Sequence, residues 1–367
     1  MKVSPSMLFF FLLFIACKKK SDNDAIISGK RLSQGIKRVY LTTAAEWSVF
    51  LDSAECINGN FELKYKPSSK FEPFLASICY LDSANRITQL YVRNEFLIKK
   101  TGKNSANGAF MLDYGTSEVS YVERKNGSDL VDMTGGKENG LFKQYEWQNF
   151  GYVGSERDLI RYTNNRKLVK QNSDSYYFLY KISENREKYS RVQLEEIFRD
   201  FDEALQESVS GSYLKEYIKN MPEPNEVPAD LSAYSNSKSI KVGINKTANL
   251  NMLVFWASWC GPCRMEIPEL KKIRKLINNK DFFLASISID KNPLFWERAL
   301  TEENMSWPQF IIPERDLNKV MARFRFSSIP LIVFTDKSGR EIKRFSGYKA
   351  NQTTEYISFI KDHLLSE

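Results

Sequence analysis

The sequence predicts an α/β domain at the C-terminal end of the chain, preceded by a β-rich domain and a helical segment. Residues 26–139 contain short stretches rich in β-branched and aromatic residues, separated by Asn-Gly turn signals. Residues 140–221 place apolar residues at helical spacing. Residues 236–367 contain two continuous apolar runs with a helical pattern between them, which is typical of parallel strands buried on both faces.

The first residues, MKVSPSMLFFFLLFIAC, predict an export signal. The apolar run from Met7 to Ile15 is too short to cross a bilayer, but it has the length of a signal-peptide core. The run ends in Phe-Ile-Ala-Cys, which resembles a bacterial lipobox, and this resemblance implies that Cys17 is lipidated and becomes the mature N-terminus. An ordinary signal peptide with an incidental cysteine, or an uncleaved anchor, is the alternative.

A lipid anchor predicts a place in the cell envelope, facing the periplasm, with a short polar linker over residues 18–25. In lipoproteins of the kind that this segment resembles, an Asp directly after the cysteine retains the protein at the inner membrane. Lys18 stands at that position here. The outer membrane is therefore favoured over the inner one. The net charge of +8 is spread along the chain, so we expect no nucleic-acid partner.

The β-rich domain is predicted from the stretches RVYL, FELKYK, ITQLYV and EVSYVER. They indicate an antiparallel sheet or a sandwich. Asn58 and Gly59 stand between AECI and FELKYK, and this spacing predicts a β-hairpin.

Two cysteines, Cys56 and Cys79, fall on predicted strands of this domain. An exported protein can form disulfides, so a structural bridge is one interpretation. Buried free thiols, which pack as small apolar groups, are the other. We favour free thiols because nothing in the sequence fixes the spacing of the pair.

The helical segment is predicted mainly from RVQLEEIFRDFDEAL, which places acidic residues opposite one apolar face. The stretch MPEPNEVP, with three prolines, ends the helical pattern and predicts a linker over residues 222–235. The apolar face is expected to contain Val192, Ile197, Phe198, Phe201 and Leu205.

The C-terminal domain, residues 236–367, begins with the predicted strands MLVFWA and FFLASISI. A helix is predicted between them from Cys263 to Ile277. LIVFTDKSGREIKRF predicts a hairpin turned at Asp336 to Gly339, and TTEYISFIKDHLL predicts a closing amphipathic helix. The inward face of the first helix is expected to contain Ile267, Leu270, Ile273 and Leu276.

The pair Cys260 and Cys263 could cycle between dithiol and disulfide, bind a metal or staple a loop. Structural zinc needs four ligands, and the chain has no second CxxC and a single histidine, His363, so no metal is expected. A two-residue loop gives a permanent disulfide little entropic stabilisation. Redox cycling is therefore the preferred interpretation, and it needs no cofactor other than the pair itself.

Only a thiolate attacks a disulfide, and a helix N-terminus stabilises an anion through its unpaired amide N–H groups. Cys260 stands between a predicted strand and a predicted helix, so it is the expected nucleophile. Cys263, one helical turn later, is expected to resolve the mixed disulfide.

The motifs FWASWCGPCRMEIPEL, SISID, WPQF, SSIP and FTDKSGREI resemble the thioredoxin fold, and specifically its envelope-tethered TlpA/ResA-type branch. The resemblance covers roughly residues 245–367. The stretch beginning RVYLTTAAEW resembles the small β-domain of unassigned function at the head of many such lipoproteins.

This resemblance implies a cis peptide bond before Pro330. It also implies that the backbone of Ile329 pairs with an extended substrate segment, and that Trp259, Gly261 and Pro262 contribute to substrate binding.

The proton acceptor is left open by the sequence. Thioredoxin has a buried acid in the strand before the motif, and Val254 stands at the matching position here. Glu266, in the first turns of the helix, is a conceivable proton relay, but the pattern favours a solvated or capping-region acid there.

Together these observations predict a lipid-anchored thiol–disulfide oxidoreductase. The Gly-Pro dipeptide between the cysteines is that of thioredoxin, so the resemblance implies a reductase of disulfides in envelope proteins. Its partners would be protein thiol or disulfide substrates and a thiol protein of the membrane that supplies electrons. The alternative is an envelope binding or sensor lipoprotein whose thioredoxin-like domain is accessory.

Overall fold

The computed structural model describes most of the chain in two compact units that divide between residues 148 and 149. Cys17 and the rest of the predicted export signal lie outside the described residues. No helix in the described part is long and apolar enough to cross a membrane. The described ranges are 24–33, 35–67, 71–82, 85–103, 105–125, 127–146, 157–222, 231–235, 238–242 and 244–365.

The described residues of the first unit form strands and two short helices. Its strands are β1 (Ala25–Lys30), β2 (Arg38–Thr43), β3 (Phe50–Glu55), β4 (Phe61–Tyr65), β5 (Phe74–Leu81), β6 (Ile87–Gln89), β7 (Tyr91–Arg93), β8 (Ala106–Asn107), β9 (Phe110–Leu112), β10 (Gly115–Lys125) and β11 (Ser128–Thr134). Its helices are α1 (Glu95–Thr101) and α2 (Lys137–Tyr145).

Two sheets of this unit share one hydrophobic core, with strand orders β4-β1-β10-β11-β7-β8 and β3-β2-β5-β6. Ile27 and Leu63 of the first sheet and Val39 and Ile78 of the second belong to the same buried cluster. The β1/β10 and β11/β7 pairs are parallel, so the first sheet is mixed rather than antiparallel as predicted. Short-range patterns reveal strands but not the direction of a partner that is distant in sequence.

The Asn-Gly turn forms, but the predicted hairpin is wrong. Asn58 and Gly59 have φ of 53° and 78°, and the flanking Ile57 and Asn60 exchange backbone hydrogen bonds. Beyond this turn β3 pairs with β2 and β4 with β1, in different sheets. The turn chemistry fixes only the central residues, whereas the pairing beyond it follows burial of each strand in the core.

The helix α2 belongs to the first unit, although residues 140–221 were expected to form one helical segment. Its buried Lys143 donates to the carbonyl of Met133 at 2.9 Å and pairs with Glu95 at 2.8 Å. The first unit therefore ends later than the predicted boundary.

The second unit begins with helices that we call the helical segment, residues 157–222. They are α3 (Arg157–Gln171), α4 (Tyr176–Glu184), α5 (Arg191–Arg199), α6 (Glu203–Gln206) and α7 (Val209–Asn220), with a 3-10 turn at Arg186–Lys188. The predicted single helix RVQLEEIFRDFDEAL is thus interrupted between α5 and α6.

The apolar face of α5 differs from the prediction at one position. Val192 is 63% exposed, whereas Leu194, Ile197 and Phe198 are buried. The buried stripe runs from Leu194 in steps of three and four, and a residue two positions earlier points about 200° away from it.

The C-terminal domain is a sheet covered by helices. Its elements are β12 (Leu231–Ser235), β13 (Lys238–Val242), β14 (Leu250–Trp256), α8 (Gly261–Leu276), β15 (Phe282–Ser288), α9 (Pro293–Glu303), β16 (Gln309–Ile311), α10 (Glu314–Arg323), β17 (Leu331–Asp336), β18 (Glu341–Ser346) and α11 (Thr353–Leu365).

The strand order of this sheet is β13-β12-β16-β15-β14-β17-β18. The central strand β14 is buried along its whole length, parallel to β15 and antiparallel to β17, which confirms the predicted α/β class. β12 occupies the end of the predicted linker 222–235. Leu276, expected inward, is exposed, because α8 ends there and Ile277 turns into the core instead.

The helical segment packs on the C-terminal domain through α7 and α10. The side-chain amide of Asn318 donates to the carbonyl of Tyr213 at 3.0 Å. The guanidinium of Arg186 lies over the ring of Tyr217, 4.6 Å from its centroid, and contacts the sulfur of Met321 at 3.9 Å. These contacts place the helices and the sheet in one unit.

Candidate active site

Cys260 and Cys263 form a disulfide at the start of α8, with Cα atoms 5.2 Å apart. A short loop connects the buried strand β14 to α8, and Cys260 is the N-cap residue of α8. Pro262 occupies the first helical turn, where its missing N–H has no partner to lose. The sequence therefore predicts this local geometry correctly.

The N-terminus of α8 is directed at the sulfur of Cys260. The backbone N–H of Cys263 donates to Cys260 Sγ at 3.2 Å. Free amides and the partial positive charge of the helix end stabilise a thiolate there once the disulfide is reduced. Cys260 is 5% exposed and Cys263 is 2% exposed, so both cysteines are buried in the disulfide form.

The residues predicted to bind substrate lie on two segments, one around the pair and one just before β17, whose first residue Leu331 pairs with Phe255 near the end of β14. Trp259 is 67% exposed, and Gly261 and Pro262 are exposed too. The Ile329–Pro330 peptide bond is cis, as the resemblance implies.

Ile329 precedes the cis bond, just outside β17. Among the described residues, neither its N–H nor its carbonyl makes a backbone hydrogen bond, whereas the carbonyl of Pro330 accepts from Gly347 at 2.8 Å. Ile329 itself is only half-buried.

Glu266 is buried, and the prediction of a solvated acid is wrong. It is 2% exposed, and the hydroxyl of Tyr356 donates to its Oε1 at 2.8 Å. Its Oε2 has no hydrogen-bond partner among the described residues. Burial raises the pKa of this carboxyl to about 7.

The sequence did contain a signal for this burial. The inward face of α8 is formed by residues spaced three or four apart, or adjacent across the stripe: Cys263, Glu266, Ile267 and Leu270. A carboxyl at such a position, one turn after the second cysteine, points to the core side of the helix. The charge of the residue favoured solvent instead.

Cys56 and Cys79 are free thiols, which confirms the favoured interpretation. Cys79 is buried and Cys56 is half-buried. Burial raises the pKa of both thiols, so they are poor nucleophiles at neutral pH. Thr42 Oγ1 lies 3.7 Å from the sulfur of Cys79.

In the part of the chain that the structure describes, no group of three or more His, Cys, Asp or Glu side chains is placed to bind a metal ion. His363 lies in the last helix with its ring stacked on Phe359, 6.1 Å between centroids.

The family model described as "Thioredoxin-like" matches residues 248–341. The chain is 25% identical over 88 residues to the thiol-disulfide oxidoreductase ResA of Oceanobacillus iheyensis, covering 24% of this chain and 44% of that protein. It is 28% identical over 101 residues to a thioredoxin of Alicyclobacillus acidocaldarius, covering 28% of this chain and 70% of that one. The chain thus spans less than half the length of the ResA relative.

Solved structures also overlap the C-terminal third of the chain. The thioredoxin domain of a thiol-disulfide oxidoreductase from Bacteroides vulgatus is 18% identical, with a TM-score of 0.34, over 38% of this chain and 97% of its own. StoA from Bacillus subtilis is 17% identical, with a TM-score of 0.31, over 36% of this chain and 98% of its own. The family match, the strand order and the cysteine pair together identify residues 248–341 as a thioredoxin-like domain.

Proposed function

We propose that this chain is a membrane-anchored thiol–disulfide oxidoreductase that reduces disulfides in envelope proteins. The position of the Cys260–Cys263 pair carries the proposal. The pair lies at the N-terminus of α8, next to an exposed tryptophan and in the same domain as a cis-proline. The similarity to ResA and to thioredoxins supports the same chemistry.

The first step is attack by the Cys260 thiolate on one sulfur of a substrate disulfide. The substrate S–S bond breaks, a mixed disulfide with Cys260 forms, and the departing sulfur takes a proton from water. The amides at the start of α8 hold Cys260 as the thiolate, and the backbone of Ile329 can pair with the substrate segment as an added strand.

The second step needs a base for Cys263. Glu266 lies one helical turn away, and a pKa of about 7 allows its carboxylate to accept a proton near neutral pH and release it later. The Cys263 thiolate then attacks Cys260 Sγ and breaks the mixed disulfide, and the second substrate sulfur leaves as a thiolate that takes a proton from water. Two electrons and two protons have passed to the substrate, and the chain is left as the disulfide.

The cycle closes when a thiol protein of the membrane reduces the Cys260–Cys263 disulfide. Lipid attachment at Cys17 would keep the domain near such a donor, because acyl chains contribute roughly 0.8 kcal/mol of membrane affinity per buried CH₂. Replacing Cys17 by alanine should move the protein from the membrane fraction to the soluble one. Unchanged fractionation would contradict the anchor.

The reduction potential of the pair in the full chain tests the direction of the reaction. We expect a value near that of thioredoxin, about −270 mV, and a value near that of the oxidant DsbA, about −120 mV, would overturn the reductase assignment. The variant Cys260→Ser should lose insulin disulfide reduction. Cys79→Ser, a buried thiol of the other unit, is the matched control and should keep it.

A further inference from the structure

A buried carboxylate stands next to the loop that leads into the cysteine pair. Asp290, two residues after β15, is 3% exposed. One of its oxygens accepts from the backbone N–H of Ser258 at 2.9 Å and from the hydroxyl of Ser288 at 2.6 Å. The other accepts from the hydroxyl of Ser258 at 2.6 Å. Hydrogen bonds of this kind to a carboxylate are among the stronger ones in proteins.

These bonds connect the end of β15 with the loop just before Cys260. Ser258 is two residues from the nucleophile, and the N–H of Cys260 itself donates to Ala257 at 3.1 Å. The hydroxyl of Ser288 also accepts from the backbone N–H of Asp290 at 2.9 Å, which closes the network on the strand side. The loop is thus hydrogen-bonded at Ser258 to the segment at the end of β15.

We infer that Asp290 is a positioning residue for Cys260, holding the nucleophile at the N-terminus of α8 when the disulfide is open. The inference rests on the proposed function because it concerns the same dithiol. In the disulfide form, the bond to Cys263 also fixes Cys260. After reduction that covalent link is gone, and the bonds from Ser258 to Asp290 remain.

The reason is the short range of thiolate stabilisation at a helix end. The favourable effect of the helix dipole falls off within the first turn, and a hydrogen bond to sulfur requires close approach. A loop that loses its tie to β15 lets Cys260 leave this position. The thiolate fraction then falls, and with it the rate of attack on disulfides.

A purely electrostatic role of Asp290 predicts the opposite sign. A nearby negative charge disfavours a thiolate, so removing the carboxylate without moving the loop would lower the pKa of Cys260. Positioning and charge can therefore be separated by the direction of one measured shift.

The experiment measures the pKa of Cys260 from the pH dependence of its alkylation by iodoacetamide, read by peptide mass spectrometry in the Cys263→Ser background of the full chain. We expect Asp290→Asn to raise the pKa of Cys260, which leaves about threefold less Cys260 thiolate at pH 7. Ser258→Ala should shift it the same way by less, because the backbone N–H bond stays, and Ser258→Thr, which keeps the hydroxyl, should restore it.

The matched control is Asp336→Asn. Asp336 also accepts hydrogen bonds from a serine hydroxyl and from backbone N–H groups. It lies opposite Leu250 in the sheet, however, and Leu250 is at the end of β14 that is remote from the cysteine pair. It should leave the pKa of Cys260 unchanged. An unchanged or lowered pKa in Asp290→Asn overturns the inference. If that variant does not fold, Ser258→Ala decides by the same criterion.

Alkylation needs no substrate disulfide, so this test is separate from the proposed function. A wild-type chain that fails to reduce insulin would remove the proposed function. The raised pKa in Asp290→Asn would still support the positioning role.

Discussion

The chemistry of Glu266 is set by burial at the scale of a single residue. Its folded pKa of about 7 lies above the ordinary value of 4.5 that it has in the unfolded chain. The folded form therefore binds the proton more tightly. Its contribution to stability is full below pH 4.5 and is lost as the pH rises to about 7.

Replacing Glu266 by glutamine should remove this loss. Above pH 7 the oxidised Glu266→Gln chain should be more stable than wild type by up to about 3 kcal/mol, and the two should converge near pH 4.5. Urea unfolding at pH 5 and pH 8 measures the difference. Glu269→Gln is the control, because Thr353 and Lys272 lower the pKa of that carboxyl and its slope has the opposite sign.

The same variant should also slow turnover. Without an acceptor for the proton of Cys263, the mixed disulfide should persist, and the rate of insulin reduction at pH 7 should fall by about tenfold or more. Trapping with acid and mass spectrometry shows the accumulated intermediate. Equal rates for the variant and wild type would show that water takes the proton instead.

At the scale of elements, the first turn of α7 contains a glycine, Gly211, that the packing requires. The N-cap Ser208 accepts from the N–H of Gly211 at 3.0 Å. A Cβ on Gly211 would lie 2.1 Å from the carbonyl oxygen of Leu205, so backbone must move to admit it. This close approach holds α6 and α7 together and sets the direction in which α7 reaches α10.

Gly211→Ala should therefore destabilise the second unit by about 1–3 kcal/mol, as overpacking generally does. Gly140→Ala is the matched control, since Gly140 is also helical but has nothing within 4 Å of the added carbon. That change should be neutral or stabilising by up to about 1 kcal/mol. Thermal unfolding of both variants measures the contrast, and equal midpoints would contradict the packing argument.

At the scale of the whole molecule, the helical segment is part of the same unit as the C-terminal domain. Asn318 and Met321 of α10 have their partners on the helices. A chain that starts at residue 231 loses both contacts and uncovers the side of α10 that carries the buried Met321.

Such a truncated chain should bind an apolar fluorescent dye and unfold at a lower temperature than a chain that starts at residue 157. Exposed apolar surface gives both effects. Dye fluorescence and thermal unfolding of the two truncations measure them. Equal values would mean that the α7–α10 contact contributes little to the stability of the domain.

Local features of the C-terminal domain were predictable from the sequence. The buried strand before Cys260, the helix after it, the hairpin and the closing helix are each coded within a few residues by burial period, Pro and Gly positions. The free state of Cys56 and Cys79 was also anticipated. Their lack of a coordinated spacing was enough to favour it.

The sequence by itself determined the Cys260–Cys263 pair, its place at a helix N-terminus and the α/β class of the domain, because these depend on neighbours along the chain. The tertiary structure decided the surroundings of the pair. Tyr356 donates a hydrogen bond to Glu266, which is 90 residues away in the sequence, and Ser258 donates one to Asp290, which is 32 residues away. Which distant groups meet depends on how all the elements pack together, and no local period encodes that choice.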